Sequence, residues 1–280
     1  MKTILVIVAT GQQGGAVTKH LLKNNFKVRA LVRDENKPAS QELKELGVEL
    51  IQGNMTDPAA LDKAMEDIYG VFSVQNYWEH GYEGELNQGK AVADAAHKAG
   101  VKHFVQSSVG GAERSTKLPH FDVKFEIEEY LKKLELPKTV LRPVFFMENF
   151  NTFFAPAESD GKYALTIALK PDTKLQMIAV DDIGAITALV FNYPEKYLGK
   201  EIELAGDELT IPEVAAAYTK IKAKEYTFNE LPMDAMRSYN EELANMFQWF
   251  MDKGYEADIP ELKKMYPELT SFENWLTKNN

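Results

Sequence analysis

The sequence contains no cysteine. Disulfide bonds, thiolate metal sites and cysteine nucleophiles are therefore excluded, and the composition suits a reducing compartment, so we expect a cytoplasmic protein. The histidines lack the spacing of metal ligands, and we expect no metal site. They are His20, His80, His97, His103 and His120.

Long apolar runs and an excess of positive charge are also missing. The apolar run in MKTILVIVATG is short and passes into a glycine-rich turn, which is typical of a buried strand and not of a signal peptide. No later segment approaches the roughly 20 apolar residues that span a bilayer, so we expect no membrane partner. The net charge of −10 disfavours binding to a polyanion, because nucleic-acid affinity needs clustered Lys and Arg. We expect no direct nucleic-acid binding.

The first half of the chain alternates short β-branched runs with longer helical patterns, which indicates βαβ units and a parallel sheet. The expected strands are Thr3 to Val8, Lys27 to Val32, Val48 to Gln52, Gly70 to Val74, Lys102 to Ser107 and Lys138 to Arg142. The expected helices are Gly14 to Asn24, Pro38 to Leu46, Pro58 to Glu66, Gly84 to Ala99 and Phe121 to Leu134. Asp57 is expected to cap a helix start, and Gly47 and Gly100 are expected at helix ends. The pattern predicts an α/β fold with a doubly wound parallel sheet and helices on both faces.

After about residue 150 the rhythm changes to irregular segments spaced by prolines. We expect a nucleotide-binding domain over residues 1–150 and a smaller C-terminal α/β lobe over 151–280 that binds a substrate or partner, with some segments packing back on the first domain. The expected helices are Asp181 to Asn192, Pro212 to Lys222, Glu241 to Met251 and Ser271 to Lys278. Aromatic residues are expected to form the core of the lobe, with a cofactor-binding cluster as the alternative. They are Phe228, Tyr239, Phe247, Trp249 and Phe250. Asp181 and Asp182 are interpreted as an N-cap, with an acid/base pair as the alternative.

The run VIVATGQQGGAV places Gly11, Gly14 and Gly15 between the first strand and the first helix. A dinucleotide pyrophosphate would there approach bare backbone amides and the positive end of a helix. Glycine is needed because a Cβ would hold the phosphate away. This position in a βαβ unit favours a Rossmann-type dinucleotide site. The alternative is a tight turn with no ligand.

The second strand ends at Arg33, where an NAD-preferring site would carry an acidic residue for the ribose 2′-hydroxyl. A guanidinium pairs well with phosphate, and Lys37 lies nearby in the sequence. Together with the glycine turn, Arg33 favours NADP over NAD.

Further motifs resemble those of the NmrA-like family. They are ATGQQGG at 9–15, ALVRD at 30–34, QNYWE at 75–79, HFDVKFEIEEYL at 120–131, RPVFFMENF at 142–150, PEKYLG at 194–199 and ANMFQWF at 244–250. The resemblance runs over nearly the whole chain and is strongest to the HSCARG-type NADPH redox-sensor branch of these atypical short-chain dehydrogenases. It implies a Rossmann sheet of six or seven parallel strands, a small C-terminal lobe and NADP(H) as cofactor.

The resemblance also implies a role for each matching position. It assigns the pyrophosphate to Gly11, Gln12, Gln13 and Gly14, the 2′-phosphate to Arg33 and Lys37, the adenine to Asn54, the cofactor cleft to Asn76 and Tyr77, the nicotinamide ribose to Lys124, and the nicotinamide end to Phe145, Phe146, Glu148 and Asn149.

One position departs from the family pattern. The family turn begins G-x-x-G-x-x-G, and Val8 takes the place of its first glycine. A branched side chain there would crowd the dinucleotide by an amount comparable to overpacking a core, about 1 to 3 kcal/mol. We expect a small backbone shift to accommodate Val8, with loss of the cofactor site as the alternative.

Short-chain dehydrogenases use a tyrosine four residues before a lysine as the proton donor, with a serine nearby. Here His120 stands at the tyrosine position, one helical turn before Lys124, and Ser107 and Ser108 close the fifth strand. In our leading interpretation the acid is lost, and a partner protein reads the NADP(H)-bound state of a redox sensor. In the second, Lys124 or His120 supplies a proton while NADPH reduces a quinone or small carbonyl compound. In the third, His120 is a helix-surface residue and the cleft is vestigial.

Overall fold

A computed structural model describes residues 1–159 and 161–279 of the chain. The chain forms two compact units that alternate along the sequence. Unit 1 comprises Met1–Ser115, Pro119–Arg142 and Ile183–Ile202, and unit 2 comprises Thr116–Leu118, Pro143–Asp182 and Glu203–Asn280. The expected domain boundary at residue 150 stays a prediction.

The secondary structure begins with alternating strands and helices. The strands are β1 (Thr3–Val6), β2 (Lys27–Val32), β3 (Glu49–Gln52), β4 (Gly70–Ser73), β5 (His103–Ser107), β6 (Lys138–Pro143), β7 (Phe145–Phe146), β8 (Ala157–Ser159), β9 (Lys162–Ile167), β10 (Leu175–Ile178), β11 (Glu201–Leu204), β12 (Asp207–Leu209) and β13 (Tyr226–Glu230). The helices are α1 (Gln12–Lys23), α2 (Pro38–Glu45), α3 (Pro58–Ala64), α4 (Tyr77–Lys98), α5 (Pro119–Lys133), α6 (Val180–Asn192), α7 (Pro194–Tyr197), α8 (Ile211–Lys222), α9 (Met233–Tyr239), α10 (Glu241–Asp252), α11 (Ile259–Met265) and α12 (Phe272–Lys278). Short 3-10 helices lie at Ala112–Arg114 and Met147–Asn151.

A seven-stranded sheet has the order β11-β6-β5-β4-β1-β2-β3. Strands β1 to β6 pair in parallel. The chain builds outward from β1 through β2 to β3 and then returns to place β4 on the other side of β1. The carboxyl ends of β1 and β4 therefore flank a topological switch point, where ligands bind in open α/β sheets.

Helices cover both faces of this sheet. On one face Leu5, Val71 and Phe104 belong to a buried cluster together with side chains of α3, α4 and α5. On the other face α6 packs so closely that a Cβ on Gly70 would lie 2.7 Å from the Phe191 ring. The predicted doubly wound sheet is therefore confirmed. Among the described residues, no helix is long and apolar enough to cross a membrane.

Unit 2 contains two small three-stranded sheets, β12-β10-β7 and β13-β9-β8. Its core is aromatic: the Phe150 and Phe272 ring centroids lie 5.4 Å apart, and those of Phe145 and Phe250 lie 6.3 Å apart. Phe247, Trp249 and Phe250 are buried as expected. The expectation for Tyr239 is wrong, because its side chain is exposed at the end of α9.

Local signals are confirmed in unit 1. The Asp57 carboxylate accepts hydrogen bonds from the amides of Ala59 and Ala60 at the start of α3. Gly47 and Gly100 follow helices with φ of +85° and +65°. These left-handed conformations are those that favour glycine at helix ends.

Three expectations for the secondary structure need correction. Strand β1 ends at Val6, and Val8 lies in the following turn. Helix α4 begins at Tyr77 instead of Gly84, with a break in helical geometry at Gly81. The strands β7 to β13 were not predicted, because they are short or carry mixed exposed residues.

Candidate functional site

The turn between β1 and α1 presents a helix N-terminus at the carboxyl end of a central strand. Helix α1 makes its first internal hydrogen bond from the Gly15 amide to the Gly11 carbonyl, at 2.8 Å. The amides of Gln12, Gln13 and Gly14 therefore have no acceptor within the helix, and Gly11 has no side chain that could cap them. Such amides, at the positive end of a helix dipole, bind phosphate groups.

The glycines of this turn permit close packing of the helix against the strand. A Cβ on Gly14 would lie 2.1 Å from the Val8 carbonyl oxygen, so no other residue fits there without a backbone shift. The Gly11 amide donates to the same carbonyl at 2.9 Å. The turn thus holds the N-terminus of α1 directly against the carboxyl end of β1.

Val8 adopts a left-handed conformation with φ of +56°. This geometry explains why the family pattern has glycine at this position, since β-branched residues rarely adopt it. A backbone conformation of this kind costs about 1 to 3 kcal/mol. The Val8 side chain contacts the Gly11 position, where an added Cβ would lie 3.0 Å from Val8 Cγ1.

An open depression lies beyond the end of β2. It has a volume of about 500 Å³ and is lined by Arg33, Gln52, Gly53, Asn54 and Asp57. The structure therefore brings together two residues that the sequence assigned to the adenosine half of a cofactor, Arg33 and Asn54. The Asn54 side-chain oxygen accepts a hydrogen bond from the Thr56 amide at 2.8 Å. Lys37 is exposed and directly precedes α2.

The Arg33 guanidinium forms an ion pair with Glu79 in the first turn of α4. Both side chains are open to solvent, with exposed fractions of 67% and 42%. The hydrogen bond from Arg33 lowers the pKa of the Glu79 carboxyl. Asn76 occupies the N-cap position of this turn, is exposed and makes no capping hydrogen bond through its side chain. The turn is separated from the rest of α4 by Gly81, whose φ is +65°. The end of β2 is thus tied to a short, distinct helical turn.

Polar side chains connect the turn between β1 and α1 to the ends of β4 and β5. The Ser107 hydroxyl donates to Gln13 Oε1 at 2.7 Å. The Gln106 amide donates to Gln75 Oε1 at 3.2 Å, and the Gln75 amide donates to Ser73 Oγ at 2.9 Å. Buried polar groups of this kind are stable when they bond to one another. This hydrogen bond fixes the Gln13 side chain within unit 1 and leaves the Gln13 backbone amide at the N-terminus of α1 without an acceptor in the helix.

The two candidate catalytic residues lie on one face of α5. Lys124 Nζ is 2.6 Å from Oε1 of Glu85, which projects from α4. His120 is only 7% exposed, and its ring lies 5.8 Å from Tyr77 and 5.1 Å from Trp78. The interpretation of His120 as a helix-surface residue is therefore wrong, because the aromatic side chains of α4 cover it.

Ser108 directly follows β5. Its side chain is buried, and its hydroxyl has no hydrogen-bond partner within residues 1–159 and 161–279. The Ser108 amide donates to the Leu141 carbonyl at 2.7 Å, which fixes the backbone here. The hydroxyl is thus held in place and retains unused hydrogen-bonding capacity.

The residues assigned to the nicotinamide end lie in unit 2. Phe145 packs against other aromatic rings of its core, whereas Phe146 and Asn149 are half-buried in β7 and the following 3-10 helix. The Glu148 carboxylate accepts hydrogen bonds from the Val180 amide at 3.1 Å and from Trp275 Nε1 at 3.0 Å. Burial raises the pKa of this carboxyl. Glu148 therefore joins segments of unit 2, and its role at the nicotinamide stays a prediction.

Asp181 and Asp182 lie within the first turn of α6 and do not form its N-cap, which corrects the sequence interpretation. Asp182 is buried and accepts hydrogen bonds from the Thr270 amide at 2.8 Å and from its hydroxyl at 2.9 Å. Burial raises the pKa of the Asp182 carboxyl. Asp182 is a structural contact between α6 and the segment before α12.

A sequence model described as the NmrA-like family matches residues 1–276 of the chain. The chain belongs to the NmrA-like family. An NmrA-like family domain-containing protein from Dictyostelium discoideum is 31% identical over 300 residues, covering 100% of this chain and 98% of that protein.

Solved structures of similar fold include NmrA and a quinone oxidoreductase. NmrA, a negative transcriptional regulator solved in complex with NADP, has a TM-score of 0.84 at 22% identity, covering 99% of this chain and 94% of NmrA. The NADPH-dependent quinone oxidoreductase of Escherichia coli, solved with NADPH, has a TM-score of 0.81 at 26% identity, covering 99% of each chain.

Two acidic residues of this NmrA-like chain were missed as site residues. Glu79 is the last residue of the QNYWE motif. It could have been identified because it carries a charge opposite to that of Arg33 and follows a strand at the same edge of the sheet. Glu85 falls on the face of α4 that buries Gly89, Val92 and Ala96. Because a charged residue on a buried helix face needs a partner, helical periodicity could have identified it.

Proposed function

We propose that this NmrA-like protein binds NADP(H) at the carboxyl edge of the seven-stranded sheet. The observation that carries the proposal is the N-terminus of α1 at the switch point. Its first amides have no acceptor within the helix, and the N-cap residue Gly11 has no side chain to cap them. These amides would bind the pyrophosphate. The Arg33 guanidinium would bind the 2′-phosphate, and the depression beside Asn54 would receive the adenine.

The residues fit this cofactor chemically. Gly14 lets the α1 backbone lie against the strand, and the first turn of α1 carries no acidic side chain that would repel a phosphate. Arg33 has a solvent-accessible guanidinium, which binds phosphate oxygens in a forked geometry. The relative of known structure at 26% identity is solved with NADPH.

Calorimetric titration of the purified protein with NADPH, NADH and adenosine 2′,5′-bisphosphate tests the cofactor site. We expect Arg33→Ala to weaken NADPH and the bisphosphate by about tenfold or more, because it removes charge-assisted hydrogen bonds. NADH binding should change little. Equal affinities for NADPH in the wild type and Arg33→Ala would refute the assigned 2′-phosphate site.

We infer that cofactor binding serves a sensor function. A 2′-phosphate at Arg33 would replace Glu79 as its partner and so release the first turn of α4 from β2. The Gly81 break lets this turn move separately from the rest of the helix. Trp78 lies on the same turn with 59% of its surface exposed, and it would offer a partner protein a contact that depends on the cofactor.

Ligands that differ only in the 2′-phosphate test this coupling. Adenosine 2′,5′-bisphosphate should increase hydrogen exchange across residues 77–81 and change the emission of Trp78, whereas 5′-AMP should do neither. Trp78→Phe identifies the part of the emission that comes from this turn. Identical exchange patterns with both ligands would contradict the sensor mechanism.

A second candidate function is that of an NADPH-dependent oxidoreductase acting on a quinone or small carbonyl compound. The grouping of Lys124 and His120 on one face of α5 favours it, with the Ser108 hydroxyl at the end of β5. The bound cofactor would supply a hydride, and Lys124 or His120 would supply the proton that the substrate oxygen takes up. Steady NADPH oxidation by a quinone should fall when Lys124 is replaced by alanine. An absence of turnover across quinones and aldehydes, despite tight NADPH binding, would exclude this candidate.

A further inference from the structure

Glu85 is a fully buried carboxylate in the middle of unit 1. It projects from the face of α4 that packs against α5, and its exposed fraction is 0%. Its Oε1 lies 2.6 Å from Lys124 Nζ. Its Oε2 has no hydrogen-bond partner in the described part of the chain, residues 1–159 and 161–279. Lys124 is therefore the group that compensates this buried charge.

Burial makes the two members of this pair depend on each other. A carboxylate without water needs a counter-charge nearby, and the low effective dielectric of the interior strengthens the attraction. The Lys124 side chain retains 16% exposure, whereas the Glu85 side chain has none. A ligand beside Lys124 would meet a nearly neutral pair instead of an isolated positive charge.

We propose that Glu85, by neutralising Lys124, sets the preference of the cofactor site between NADP⁺ and NADPH. The inference rests on the proposed NADP(H) site and on the family role of Lys124 at the nicotinamide ribose. An oxidised nicotinamide ring carries a positive charge, and a reduced ring carries none. An isolated Lys124 ammonium would disfavour the oxidised form selectively, whereas the Lys124–Glu85 pair discriminates little.

Glu85 acts through Lys124 and is a positioning residue. The ratio of the dissociation constants for NADP⁺ and NADPH determines how far the midpoint potential of the bound cofactor departs from that of the free cofactor. A protein that senses the redox state needs a defined value of this ratio. Glu85 sets this ratio from a buried position, through the charge of Lys124 and without contacting the ligand.

Calorimetric titration of Glu85→Gln with NADP⁺, NADPH and adenosine 2′,5′-bisphosphate tests the proposal. We expect the ratio of the NADP⁺ and NADPH dissociation constants to rise by about tenfold, because an uncompensated charge acts on the oxidised ring. The bisphosphate has no nicotinamide on which Lys124 could act, so its affinity should stay within about twofold of the wild-type value. This ligand also reports whether the variant is folded.

Two variants serve as controls. Glu85→Gln combined with Lys124→Met removes both charges and should return the ratio to within about twofold of the wild type, since the charges act as a unit. Glu126→Gln makes the same change in another carboxylate between α4 and α5, one that is 3.2 Å from Lys90 Nζ and lies at the surface. It should leave the ratio unchanged.

Each other outcome overturns the inference. If Glu85→Gln weakens all three ligands equally, Glu85 supports the fold and does not discriminate between redox states. If the ratio is unchanged while the bisphosphate binds normally, Lys124 does not act on the nicotinamide. If the wild type binds none of the ligands, the proposed NADP(H) site fails and the inference fails with it.

Discussion

The two ion pairs of the candidate cofactor site differ in their exposure to solvent. Arg33 and Glu79 meet at the surface, whereas Lys124 and Glu85 meet between packed helices. An exposed pair is worth little, so a ligand phosphate can take one partner from the other at small cost. A buried pair cannot exchange partners without leaving an uncompensated charge. The first pair therefore suits capture of a ligand, and the second suits a constant local field.

Arg142 offers the strongest test of this difference. Its side chain is buried and bonds to both carboxylate oxygens of Glu128, at 3.1 and 2.6 Å, and to Glu201 at 2.7 Å. We expect Arg142→Met to lower the free energy of unfolding by about 3 to 5 kcal/mol, because it leaves the buried Glu128 carboxylate without a counter-charge. Urea denaturation measures the effect. Arg33→Met, the matched change in an exposed pair, should stay within about 1 kcal/mol; equal losses would show that burial does not separate these pairs.

His103 extends the comparison to a buried group that stays neutral. It lies in β5 with Nε2 2.8 Å from the Thr139 hydroxyl, and burial lowers the pKa of His103 to about 4. The unfolded chain takes up this proton near pH 6.5 and the folded chain only near pH 4. The contribution of His103 to the free energy of unfolding should therefore be fully present above pH 6.5. It should decrease by about 3 kcal/mol as the pH falls towards 4.

Denaturation at several pH values, with a matched pair of variants, isolates this group. His103→Gln should remove this part of the pH dependence. His97→Gln, which changes an exposed histidine at the end of α4, should retain it. The prediction would be wrong if the two variants lost stability in parallel between pH 6.5 and 4.

The left-handed backbone at Val8 can be compared with the extended backbone of strand β1, which directly precedes this turn. Alanine is normally favoured over glycine, because glycine has more freedom to lose on folding. At φ of +56° the order should reverse, with Val8→Gly more stable than Val8→Ala by about 1 kcal/mol. Thermal or urea unfolding of both variants measures the difference. Val6→Gly and Val6→Ala, in the extended backbone of β1, should show the normal order.

Much of unit 1 could be predicted because its signals are local. The apolar run Ala30–Val32 of β2 and the cap at Asp57 specify their elements without distant contacts. Val8 shows the limit, since its β-branched side chain favours a strand and the requirements of the turn override this preference. In unit 2, Leu175–Ile178 pairs with Asp207–Leu209, which lies far along the chain and carries no pattern of its own. The pairing of Glu85 with Lys124 likewise depends on the packing of α4 on α5.

The smallest expected effect belongs to Glu79, which competes with the ligand for Arg33. Glu79→Gln should raise the affinity for NADPH by about two- to fivefold and leave NADH unchanged, because an exposed ion pair contributes about 0.2 to 1 kcal/mol. Calorimetry at low and high salt measures this gain, which should disappear at high ionic strength, where exposed charges are screened. Glu83→Gln removes the same charge from an exposed position on α4 beyond the Gly81 break and is the matched control. An equal gain in NADPH affinity in both variants would show that Glu79 acts only by general electrostatic repulsion. A gain confined to Glu79→Gln means that the 2′-phosphate must displace this carboxylate to reach Arg33.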